Sequence, residues 1–182
     1  MNILLDILGA SLIGGIVMLL IVNLNAYSTE TKFASDADLR LQQDAKTLAE
    51  IINDDLRKVG YKYDGTAITE ADSQRISFYG DIDNDGNMDQ VTYFLGAASE
   101  AYVTPNPDDR VLYRVVNTDT IGGPTLGLTD LRFSYLNKEE QETTYADSIC
   151  YIKAEIWVET VLPVNDEYPF NYWEMTINPR NI

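Results

Sequence analysis

From Ile7 to Thr29 no side chain carries a charge, and from Phe33 onward apolar residues recur at steps of three and four. The second series runs Phe33, Ala37, Leu41, Ala45, Leu48, Ile52, Leu56 and Val59, with Asp36, Asp38, Arg40, Gln42, Gln43, Lys46 and Asp54 between its members. One apolar stripe at this period predicts a helix that buries a single face. The first series is apolar all round, so any helix it forms needs an apolar surrounding on every side. Read as one element from about residue 3 to 59, closed by a basic LRKV turn and Gly60, the helix spans roughly 85 Å.

Past Gly60 the period changes from 3.6 to 2. The runs RISFYGDI (75–82), QVTYFLG (90–96), RVLYRVV (110–116), DLRFSYL (130–136), IKAEIWVET (152–160) and WEMTI (173–177) are rich in β-branched and aromatic residues. They predict strands of one mainly antiparallel sheet, joined by loops such as TPNPDD and IGGPTLG. KEEQETTYADS (138–148) reads as a solvated loop. The expected fold class is α+β, with the amphipathic half of the helix packed on a sheet face. The expected division is 1–29 for a transmembrane or filament-core half-helix, 30–60 for the amphipathic half and 61–182 for an antiparallel head.

The uncharged stretch of residues 7–29 would reach about 34 Å as a helix, close to the hydrocarbon thickness of a bilayer. No Lys or Arg precedes it, so a cleaved secretory signal is not expected. A carboxylate at a membrane boundary is costly without a partner or a role, which singles out Asp6.

Of 182 residues, 13 are basic and 29 acidic, giving a net charge of −16. A surface this negative repels phosphate backbones, so no nucleic-acid partner is expected. Histidine is absent, which removes imidazole relays and the commonest transition-metal ligand. Paired carboxylates or a Schiff-base lysine are not excluded by composition, but no local motif supports either and no enzyme is expected. The single cysteine, Cys150, cannot form an intrachain disulfide and reads as a small buried strand residue. The aromatic residues fall mostly in predicted strands, where core packing explains them.

The sharpest local motif is GDIDNDGNMDQ, which gives D-x-D-x-D-G-x-x-D. Alternate carboxylates on a tightly turning loop converge, and glycine permits the bend. Asp81, Asp83, Asp85 and Asp89, with the Asn87 carbonyl, form the expected ligand set for a structural Ca²⁺ on a hairpin. Thr92 stands where an EF-hand has its bidentate glutamate, so the set is one ligand short. A hairpin turn built from Asp, Asn and Gly without an ion is the competing account.

A two-part helix with an acid near its start and a β-rich head after it resembles the type IV pilin family, including the pseudopilins of type II secretion. The stretch NILLD, Asn2 to Asp6, has the family's spacing of an acid in fifth place if Asn2 is counted first; counted from Met1 the acid is one place late. LGLTDLRFSYL (126–136) and the ending INPRNI look like the heads of minor pilins and J-type pseudopilins. The proline many pilins carry about twenty residues in is missing. Gly9, Gly14 and Gly15 weaken the helix instead, by about 0.5–1 kcal/mol each relative to alanine.

The resemblance implies a structural subunit of an extracellular filament, polymerising with copies of itself through the N-terminal helix. It implies residence in the inner membrane before assembly, and a pilus or secretion assembly machinery as partner. Met1 or Asn2 would supply the ammonium that meets Asp6 of a neighbour, Gly14 and Gly15 would allow local melting, and Tyr27 and Phe33 would pack in the filament core. The alternative expectation is a membrane-anchored pseudopilin or surface binding module that forms no long filaments.

Overall fold

The computed structural model describes residues 3–123, 125–164 and 166–182. Among the described residues one α-helix, α1 (Ile3–Leu56), is followed by eight strands. The chain divides into two units between Leu39 and Arg40.

In the first unit α1 carries its apolar side chains outward: Leu4 is 83% exposed, and Leu12, Leu19 and Leu24 lie between 66% and 68%. By length and composition this helix could cross a membrane. The Ser11 hydroxyl donates to the Leu8 carbonyl, and Thr29 and Thr31 donate to Asn25 and Tyr27, each at 2.9 Å. These hydroxyls need no water, which suits an apolar surrounding.

In the second unit the stripe reappears as burial. Leu41, Ala45, Leu48, Ile52, Leu56 and Val59 are all 4% exposed or less. Phe33, the first member of the expected stripe, is 53% exposed, so the covered face begins two turns later than its periodicity indicates. The helix stops at Leu56 and not at Val59. The Lys58 and Val59 N–H groups turn to carbonyls three residues back, Asp55 and Leu56, which tightens the last turn. Gly60 then takes φ +73°, and a Cβ there would lie 2.5 Å from the Asn181 carbonyl oxygen, so glycine is required twice over.

The strands form two antiparallel sheets, where the sequence indicated one. The first is a meander of β1 (Ile68–Ala71), β2 (Arg75–Gly80), β3 (Asp89–Leu95), β4 (Leu112–Val116) and β5 (Asp119–Gly122), in that order. The second holds β6 (Leu128–Leu136), β7 (Tyr151–Glu159) and β8 (Phe170–Ile177), also in order. All six expected strands are present. β1 and β5 were not legible: each has four residues, and β5 has no buried side chain. Ile121 and Gly122, expected in a loop, belong to β5.

β7 shows the cleanest alternation, with Ile152, Ala154, Ile156 and Val158 fully buried and the residues between them half-exposed. Together with Phe78, Val91 and Tyr93 of the first sheet they form a single core with the helix stripe. Each large apolar side chain so buried contributes about 1.5–3 kcal/mol. Cys150 is half-buried and sits just ahead of β7, its N–H donating to the Leu136 carbonyl.

A charged group penetrates this core. Asp55, near the end of α1, is 5% exposed and accepts from the Tyr93 hydroxyl at 2.6 Å and from Arg114 Nε at 2.5 Å. Burial, with the Asp55 charge beside it, pushes the Tyr93 hydroxyl far above its usual range.

Candidate functional site

β2 and β3 pair in register down to Gly80 opposite Asp89, and residues 81–88 connect them. The aspartate motif is therefore borne on a hairpin. Asn84 and Gly86 adopt φ +64° and +91°, the left-handed conformations that let so short a loop reverse.

Asp81, Asp83 and Asp89 each bring a carboxylate oxygen within 4.8 Å of the others. The Asp85 carboxylate does not join them. The Asp85 carboxylate turns onto Asn87, accepting from its N–H at 2.7 Å and from Nδ2 at 2.8 Å. Of the four expected aspartates, three bring carboxylate oxygens together and Asp85 does not.

Asp81 is 1% exposed, and its two oxygens differ. Oδ2 accepts from Lys62 Nζ at 2.6 Å and from the Gly86 N–H at 3.1 Å, while Oδ1 is buried without a partner. Lys62 holds the carboxyl below its ordinary range, and the backbone N–H of Gly86 acts in the same sense. A hard divalent cation accepts oxygen donors of this kind, and a carboxylate with one unpaired oxygen, clustered with two further carboxylates, fits one. Asp89 is held from both sides: Asn117, outside the loop, donates from Nδ2 to its Oδ1 at 2.8 Å, and the Ile82 N–H, inside it, to its Oδ2 at 3.3 Å.

Lys62 was not legible as a member of this site. It lies in YKYD, just after the helix, itself at φ +58°, and its Nζ also reaches Asn84 Oδ1 at 2.8 Å. The Asp81 N–H donates back to the Tyr61 carbonyl. The loop is thereby tied to the turn that ends the helix, a pairing across nineteen positions that no local pattern announces.

The residues expected to act in assembly lie in the first unit. Asp6 is exposed in the first turn of α1, where the positive end of the helix dipole favours an acid. Side chains at Gly14 and Gly15 would meet open space. Tyr27 and Phe33 are 69% and 53% exposed. Met1 and Asn2 lie outside the described residues.

No family model matches this chain, and no curated protein or solved structure gives a significant match to it.

Proposed function

We propose that this chain is a structural subunit of an extracellular filament of the type IV pilus kind, polymerising through the first half of α1. The observation that supports the reading is the change of character along one helix. Its first half is apolar on every side with hydroxyls satisfied internally, and its second half buries one face on the sheets. A lipid bilayer accommodates the first half before assembly, and copies of the same segment accommodate it afterwards.

Asp6 then has a purpose. An unpaired carboxylate within an apolar bundle is expensive, and an ammonium group of a neighbouring subunit offsets the cost only in the right axial register. The 81–89 loop is read as a structural calcium site that holds the β2–β3 hairpin in one shape.

Electron microscopy of material sheared from cells expressing Asp6→Ala tests the reading. Filaments lost in the variant, with the monomer still present in the membrane, are expected. Filaments of normal number and length would leave Asp6 as an interfacial acid and remove the register role. Wild-type chain found only as monomers in vesicles would favour a membrane-anchored module instead.

A further inference from the structure

The outward face of the three-stranded sheet repeats one arrangement twice, and only the first copy is complete. In the first, the Arg132 guanidinium lies 5.1 Å from the Trp157 ring and donates to Asp130 Oδ2 at 2.8 Å. Cation, aromatic face and carboxylate satisfy one another there. In the second, Glu159 of β7 stands directly opposite Phe170 of β8, so a carboxylate and an aromatic ring are again neighbours. Phe170 is 71% exposed, and among the described residues no Lys or Arg forms an ion pair with Glu159, whose Oε2 accepts only from the neutral Asn106 amide at 3.0 Å. Both arrangements line one open cleft of about 380 Å³, bounded by Thr129, Asp130, Arg132, Trp157, Glu159 and Phe170.

Two further features define what fits. β8 is the last strand of its sheet, and among the described residues none adds a ladder beyond it. A free edge of eight residues is a template for another extended chain. The same face carries Asp130, Glu155, Glu159 and Glu174 against Arg132 and Lys153, so it is net negative, and both of its cations are already paired. We propose that this cleft and the β8 edge bind an extended basic segment of a partner polypeptide, with one Lys or Arg side chain seated between Phe170 and Glu159. The proposal goes beyond the filament reading and does not depend on it.

Of the two tryptophans, Trp157 lines the cleft, so tryptophan fluorescence reports on the site. The full chain in non-ionic detergent is titrated with the capped hexapeptide Lys-Thr-Lys-Thr-Lys-Thr. Saturable, salt-sensitive quenching is expected, weakened about tenfold by Glu159→Gln and about threefold by Phe170→Ala. Glu139→Gln, the same charge change in the exposed 137–142 turn, should leave it unaltered. Circular dichroism confirms folding of each variant, and the exposure of Phe170 makes its truncation structurally mild. Equal weakening by all three variants would reduce the effect to bulk charge and overturn the proposal. So would equal quenching by butylammonium, which cannot pair with an edge, or by neutral xylohexaose, which carries no cation.

Discussion

Two corners of the β-rich unit bury an aspartate, and they treat it in opposite ways. Asp55 receives a guanidinium and a phenol, each on the same oxygen. Asp109, in the loop before β4, is 0% exposed and neither of its oxygens has a partner. The Thr104 hydroxyl nearby gives its proton to the Ala101 carbonyl at 2.9 Å. Burial pushes the Asp109 carboxyl up, and the charges of Glu159 and Asp108 add to the effect. Burial at the two sites is nearly the same, so the supply of partners alone decides whether the charge pins the fold or strains it. Asp81 stands between them, with one oxygen satisfied and the other bare.

The largest effect follows from removing the satisfied acid. Asp55→Ala strands a buried Tyr93 hydroxyl and a quarter-exposed Arg114, and should lower stability by about 3 kcal/mol in urea unfolding of the solubilised chain. Arg114 can swing toward solvent, which keeps the loss at the low end for a broken buried pair. A loss under about 0.5 kcal/mol would mean that the network adds nothing to the apolar stripe around it.

The proposed calcium would act on the half-satisfied acid. With Ca²⁺ at a hundred times its dissociation constant, binding to the folded state alone adds about 2.7 kcal/mol, or roughly 5–10 °C for a chain of this size. EDTA should therefore lower the melting temperature of the wild type and leave Asp83→Ala unmoved. Equal shifts in both, or none in either, would mean that the hairpin turns on its own hydrogen bonds.

Asp109→Asn should have the opposite sign and stabilise the protein. The folded-state carboxyl is raised above its ordinary 3.8, so the neutral form's contribution is complete below pH 3.8 and disappears as pH climbs through the raised value. The variant should gain about 2 kcal/mol over wild type at pH 8 and nothing at pH 3.5. A gain independent of pH would place the effect in packing.

These three acids also mark how far the sequence can be read. The helix stripe and the β7 alternation were legible because burial follows a period, and the hairpin motif because its spacing is local. Asp55 was not, since it occupies a helix position beside the stripe and its partners come from β3 and β4, 38 and 59 positions away. Asp109 was invisible for a similar reason. TPNPDD has the composition of an ordinary loop, yet Asn106 is buried with it, donating from Nδ2 to Glu159 Oε2 at 3.0 Å and to the Thr160 carbonyl at 3.2 Å. The loss of Asp85 from the carboxylate cluster is smaller in scale: an Asx turn with its neighbour Asn87 outcompetes convergence on the centre.

Lys62→Met separates the ammonium from the proposed calcium at Asp81, and its effect is the smallest. Lys62 Nζ sits 2.6 Å from Oδ2, and an incoming divalent ion on Oδ1 meets an ammonium charge across the same carboxylate. Removing that charge should tighten calcium binding about three- to tenfold by calorimetry, more at low ionic strength than at high. Without calcium the same variant should lose stability, because Asp81 then keeps only the Gly86 N–H on that oxygen. The loss has a defined pH window. The Asp81 carboxyl is lowered, so the contribution of the pair is present above pH 3.8 and fades as pH falls through the depressed value. Weaker calcium binding in Lys62→Met would reverse the assignment, making the ammonium the group that holds Asp81 in place for the metal.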